Sequence, residues 1–154
     1  FTMCRRQNYG NILDLSKQYN ATFKEYEIIR HINLMAVLEK RAGMNFSSQD
    51  VYINLVGGIK VNEPALDLGI VLAASSSYKN ISIPNDTIAI GEVGLTGEVR
   101  SVNMIEKRLK EAEKLGFKKC IIPESNKKLL KDEYKLDIIG VKNILEAMKT
   151  LGLK

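Results

Sequence analysis

Residues 50–100 read DVYINLVGGIKVNEPALDLGIVLAASSSYKNISIPNDTIAIGEVGLTGEVR. Val51, Ile53 and Leu55 alternate with Tyr52, Asn54 and Val56, which predicts a strand over Asp50–Val56. Gly57-Gly58 breaks it, and Ile59-Lys60-Val61 continues it beyond a bulge or turn. Pro64 suits the first turn of a helix, where its missing N–H has no partner to lose. That helix is apolar nearly all round from Leu68 to Ala74, so it belongs in the interior. Gly69 and Ala73 are small and four apart, which lets another backbone come close. Ser75–Ser77 reads as the fraying end; no histidine or lysine stands near in a motif that would make one of these serines a nucleophile. Pro84-Asn85-Asp86 is turn chemistry. Thr87–Gly91 reads as a strand, and Gly94 and Gly97 mark tight turns before Glu98-Val99-Arg100.

Upstream, residues 1–21 show no period and suggest an irregular or hairpin-like segment. Thr22 with Glu25 forms a capping box and Gly43 fits a helix stop, predicting a helix over Lys24–Ala42. Ile28, Ile32, Met35, Leu38 and Ala42 recur at helical spacing, with Ile29, Leu34 and Ala36 broadening the stripe. Lys40 and Arg41 suit the last turn, where the free carbonyls carry partial negative charge. His31, the only histidine, lies beside this stripe, as a packed or half-exposed side chain would rather than a catalytic base.

Downstream, Asn103 is placed to cap a helix over Met104–Leu115 that stops at Gly116. Ile105, Leu109 and Ala112 make its inner face, while Lys107, Lys110 and Lys114 fall together on another. Lys119–Ile122 is a short strand ended by Pro123, followed by a polar helical turn over Ser125–Lys131. Leu136–Val141 is a further strand, and Asn143 caps a last helix ending near Gly152. Strands alternating with helices define an α/β (α+β) class with a mixed sheet and packed helices. Residues 1–23 form an irregular N-terminal segment and residues 24–154 one domain.

Composition narrows the function. No apolar run reaches the roughly 18 residues that span a bilayer. The arginines near the start are not followed by an apolar core, so the start is a poor signal peptide. Cys4 and Cys120 lie far apart without CxxC or Cys/His spacing, which fits free thiols in a reducing cytosol and a cytoplasmic protein. The net charge is +5, and all of the excess lies from Asn103 onward, with 13 Lys/Arg against 8 Asp/Glu. Solvated helix faces account for such lysines, and an anionic partner such as nucleic acid is compatible with them. Aromatic residues make up 6% with no Trp, so binding would rest on phosphates rather than on base stacking.

AVLEKRAG (36–43), DVYINLVGG (50–58), NEPALDLGI (62–70), GEVGLTGEVR (91–100), IEKRLKEAEKLGFK (105–118) and IIPESNK (121–127) follow one another at short intervals. Together they resemble the C-terminal Lon-like domain of the RadA (Sms) family of bacterial DNA repair and recombination proteins, from about Leu34 to the C-terminus. The resemblance implies a Lon proteolytic-domain-like fold (ribosomal protein S5 domain 2-like). Lon peptidases use a serine–lysine dyad, in which a dry site lowers the lysine pKa so that it can act as the base. The segment matching the Lon nucleophile is Glu63-Pro64-Ala65-Leu66-Asp67, with Ala65 in place of the serine. An ungapped match of the helix that supplies the lysine puts Glu106 there. The expectation is a degenerate dyad, no metal and no peptidase chemistry in this chain.

In the RadA family the resemblance implies a DNA-dependent ATPase that forms a hexameric ring on DNA during branch migration, with a RecA-type recombinase as a further partner. Its ATP with magnesium and its zinc belong to domains N-terminal to this one; this chain has no GxxxxGK[ST] loop and no four-cysteine motif. The Lon-like domain is expected to contact DNA and help assemble the ring. Lys60, Arg100, Lys107, Arg108, Lys110 and Lys114 are the candidate phosphate contacts, with Lys118 and Lys119 following. The alternatives are a Lon-type serine peptidase-like domain of the ATP-dependent protease family and a purely structural oligomerisation scaffold.

Overall fold

The computed structural model describes residues 2–5, 25–46, 49–52 and 63–154. Strand β1 (Thr2–Arg5) pairs antiparallel with β2 (Gln49–Tyr52), Thr2 opposite Tyr52. Helix α1 (Glu25–Ala42) lies between them in sequence. A 3-10 turn (Pro64–Leu66) leads into α2 (Asp67–Lys79). Next come β3 (Thr87–Ala89), a hairpin of β4 (Glu92–Val93) and β5 (Val99–Arg100), and α3 (Ile105–Lys114). The chain closes with β6 (Lys119–Pro123), α4 (Glu124–Lys127), β7 (Asp137–Val141) and α5 (Ile144–Thr150).

Among the described residues the central sheet is three-stranded and parallel, in the order β3-β6-β7. Strand β6 shows why two layers of helices form. Ile121 points to one face, where Leu38 of α1, Leu72 of α2 and Met148 of α5 complete a core. Cys120 and Ile122 point to the other, where Ile105, Leu109 and Ala112 of α3 close a second core with Ala65 and Ile90. Each fully buried Leu or Ile contributes about 1.5–3 kcal/mol relative to exposure. Burial pushes the Cys120 thiol up to about 12, leaving an unreactive apolar side chain. Among the described residues no helix is long and apolar enough to cross a membrane.

Several sequence expectations need correction. Among the described residues the sheet is not mixed: the antiparallel pairs form separate two-stranded sheets. Thr2–Arg5 is a strand because the distant segment Gln49–Tyr52 supplies its ladder, which local periodicity does not reveal. The buried side of α1 is Leu34, Val37 and Leu38, with Met35 and Ala42 packed against the core, so the stripe read off the spacing holds at Leu34, Met35, Leu38 and Ala42 but not at Ile32, which is 52% exposed, or at the exposed Ala36. Ser75–Ser77 is not a fraying end. Helix α2 runs to Lys79 and is closed by Asn80 in the left-handed region, and the fully buried Ser75 hydroxyl donates to the Val71 carbonyl at 2.8 Å. The predicted cap Asn103 is also displaced. Met104, at φ 58 and without a side-chain cap bond, starts α3. Thr22, Gly57, Gly58, Ile59 and Lys60 lie outside the described residues.

Asn126 is buried and replaces a strand neighbour. Its Oδ1 accepts from the Val102 amide at 2.8 Å and its Nδ2 donates to the Val102 carbonyl at 3.1 Å. This holds the β5–α3 loop against α4. Asn126→Ala is expected to strand both Val102 groups and lower stability by about 1–3 kcal/mol, read as a fall in urea midpoint at unchanged m.

Candidate nucleic-acid interface and the dyad position

The Pro64–Leu66 turn is held from three sides. Its Ala65 carbonyl accepts from the Gly91 amide at 2.8 Å, and the Leu68 amide donates to the Gly91 carbonyl at 3.0 Å. Glu63 caps it, accepting from the Ala65 amide at 3.1 Å and from Arg108 Nη2 at 2.9 Å. Arg108 foremost, then the Ala65 amide, holds the Glu63 carboxyl below its usual range. Arg108 also donates to the Asn103 carbonyl at 3.1 Å. The Ala65 methyl points into the second core and is 1% exposed. Glu106 is partly exposed and its charge acts on Tyr134 and Lys110. The Tyr134 hydroxyl is buried with no hydrogen-bond partner among the described residues, and its pKa is raised first by burial and then by Glu106. Among the described residues no basic side chain is hydrogen-bonded to the turn itself, and Arg108, which reaches its cap Glu63, is tied to that carboxylate.

Behind the turn lies an ion pair absent from the sequence reading. The Asp67 side chain is 4% exposed and accepts from Arg30 Nε at 2.7 Å through Oδ1, while Oδ2 accepts from the Val93 amide at 3.3 Å. One carboxylate thereby joins α1, α2 and β4.

The hairpin between β4 and β5 is organised by Glu98. Its carboxylate accepts from the Thr96 amide at 3.1 Å, from the Thr96 hydroxyl and from Arg100. It lies where a side chain on Gly94 would stand. Gly97 takes φ +84 and sits against Arg41, so only glycine fits without strain. The hairpin docks on the end of β7: the Val99 amide donates to the Lys142 carbonyl at 2.8 Å, and the Ile144 amide to the Gly97 carbonyl at 2.9 Å. The Thr96 hydroxyl bond first, with Arg100 further down, pulls the Glu98 pKa from 4.5 to about 2. A lowered carboxylate pKa stabilises the fold above pH 4.5, and that contribution disappears as pH falls through about 2. Glu98→Gln is therefore expected to be less stable than the parent chain at pH 7 and equal to it near pH 2, in paired denaturation series.

The candidate phosphate contacts separate by partner. Arg100 binds Glu98 and Glu92. Arg108 binds Glu63, Lys110 binds Asp132 at 2.7 Å and Lys114 binds Glu111 at 3.4 Å. Lys118 lies 3.9 Å from Asp86. Lys107 is exposed and has no acidic partner among the described residues. Lys107, Lys110 and Lys114 do share the exposed side of α3, opposite Ile105 and Leu109. No three His, Cys, Asp or Glu side chains converge as a metal site requires, among the described residues.

Residues 20–126 match the family described as subunit ChlI of Mg-chelatase, and the chain belongs to that family. The more particular likeness is to proteins named DNA repair protein RadA, which agrees with the resemblance carried by the six motifs. The RadA of Halalkalibacterium halodurans is 48% identical over 120 residues, covering 77% of this chain and 26% of that protein. The RadA of Bacillus subtilis is 50% identical over 117 residues (76% and 26%), and that of Chlamydia pneumoniae 45% over 122 residues (77% and 26%). The chain spans about a quarter of the length of these relatives.

Proposed function

We propose that this chain is the non-proteolytic, Lon-like domain of a RadA-type DNA repair and recombination ATPase, acting in DNA binding and hexameric ring assembly during branch migration. Identity of 45–50% to RadA proteins carries the reading. The absence of peptidase chemistry is supported by the Ala65 methyl, which is buried among apolar side chains and has nothing to deprotonate. ATP with magnesium and zinc belong to preceding domains of such a protein, and a RecA-type recombinase is a partner of the assembly. A cytoplasmic location follows from that role.

DNA contact runs through the exposed side of α3 and the β5 end, by phosphates and without sequence preference. Four of the five described candidate cations already hold a carboxylate, so DNA must displace those partners. This makes the interaction weak and steeply salt-dependent. It also favours a second reading, an assembly scaffold with little direct DNA contact. The test is binding of labelled single- and double-stranded DNA across a salt series, with sedimentation alongside. Lys107→Ala with Lys110→Ala is expected to lower the log–log salt slope by about 2. Asp132→Asn, which frees Lys110, is expected to tighten binding. No binding at low salt together with a stable ring would leave the scaffold, and peptide hydrolysis by the purified chain would restore a peptidase.

A further inference from the structure

Helix α3 has two outer stripes. Lys107, Glu111 and Lys114 form the fully exposed one. Glu106, Lys110 and Glu113, at i, i+4 and i+7, form the other, and its two glutamates are half-buried. The connection between α4 and β7 lies along this second stripe. Asp132 Oδ2 stands 2.7 Å from Lys110 Nζ, and the Lys135 amide donates to the Glu113 carboxylate. Tyr134, between them in sequence, feels the charges of Glu106, Asp132, Lys110 and Glu113 together.

This segment is held weakly. Residues 131–135 belong to no helix or strand and make no backbone–backbone hydrogen bond among the described residues. The Lys110 and Asp132 side chains are 56% and 48% exposed, and an exposed pair of this kind adds little and is screened by salt. The Tyr134 hydroxyl is buried without a hydrogen-bond partner among the described residues, which opposes the docked position. The two ends, by contrast, are fixed. Leu130 packs against the second core, and Leu136 is 5% exposed within it. The stretch between them can lift from α3 while the sheet stays folded.

We propose that residues 131–135 are an autoinhibitory strap, which docks Asp132 on Lys110 and is displaced when nucleic-acid phosphates take that lysine. The inference rests on the reading of α3 as the DNA-facing side. Asp132 stands where a phosphate would bind, and Glu133, exposed and without an ion-pair partner among the described residues, adds a second negative charge beside it. DNA and strap therefore compete for one cation, and whatever favours the docked strap weakens DNA binding. Tyr134 is a positioning residue in this scheme: it sets the balance of the strap through its buried hydroxyl and carries no charge that DNA would read.

The test joins hydrogen exchange at the Lys135 amide, read by NMR on the 154-residue chain, with anisotropy of labelled double-stranded DNA at low salt. Heparin serves as a second polyanion. Saturation with either one is expected to speed Lys135 exchange at least about tenfold, because the Glu113 bond opens with the strap. Asp132→Asn with Glu133→Gln should do the same without ligand and tighten DNA binding by about three- to tenfold. Tyr134→Phe changes no charge and removes the unpartnered hydroxyl. It is expected to slow Lys135 exchange and weaken DNA binding, each by about fivefold. Tighter binding of the double variant without faster exchange would reduce the effect to charge removal and overturn the strap. So would a folded Tyr134→Phe chain in which neither quantity moves. DNA binding with Lys135 exchange unchanged would overturn the strap and leave the DNA reading intact. Release by heparin in a chain that binds no DNA would support the strap and overturn the DNA reading. Unchanged exchange with both polyanions would overturn the strap.

Discussion

Asp67→Ala is expected to cost about 3 kcal/mol and to lower the thermal midpoint by roughly 10 °C, out of a total stability of order 5–15 kcal/mol. The Asp67 carboxylate is 4% exposed and answers both Arg30 Nε at 2.7 Å and the Val93 amide. Deleting it leaves a guanidinium nitrogen and a buried amide without the acceptor they were folded around. Removing one partner of a buried pair costs about 3–5 kcal/mol. Arg30, at 18% side-chain exposure, can recover part of this by reaching water, which sets the lower end. Asp67→Asn keeps the shape and one acceptor and should cost less. Urea denaturation of both variants checks the order. A loss from Asp67→Ala no larger than that from an exposed substitution would mean the pair does not form.

Leu109→Ala is the second large effect, expected at about 2–5 kcal/mol. Helix α3 has ten residues, and an isolated helix of that length is marginal in water. Only Ile105, Leu109 and Ala112 are buried on it. Leu109 is fully buried between the sheet and the Ala65 turn, so truncation leaves a cavity where α3 is anchored. The same helix carries Lys107, Lys110 and Lys114. Leu109→Ala should therefore increase hydrogen exchange in 105–114 before the other face of the sheet responds. Uniform loss of protection across both layers would overturn this local view.

These two residues mark the boundary of what the chain's spelling reveals. Leu109 is legible, because Ile105, Leu109 and Ala112 recur at helical spacing and need no distant partner. Asn143 is legible for the same reason: it caps α5 by accepting from the Glu146 amide, three residues on. Asp67 and Asn126 are not. Their partners stand 37 and 24 residues away, and nothing local tells which guanidinium Asp67 meets or which peptide group Asn126 meets. The candidate cations suffer from the same blindness. Lys107, Lys110 and Lys114 can be grouped from spacing alone, but Asp132 beside Lys110 and Glu63 beside Arg108 come from other parts of the chain. A count of lysines and arginines therefore overstates the charge left for a ligand. The degenerate dyad position is half legible. Ala65 replaces a nucleophile by inspection, while its burial under α3 follows from the packing.

The hairpin carries a consequence for how this chain can vary over evolutionary time. The Glu98 carboxylate occupies the space that Gly94 leaves empty, and from there it reaches Thr96 and Arg100. Any larger residue at 94 evicts that carboxylate, so it is harmful only while glutamate remains at 98. Positions 94 and 98 are thus bound by epistasis. A lineage that has lost Glu98 is free to lose Gly94, and one that keeps Glu98 is not.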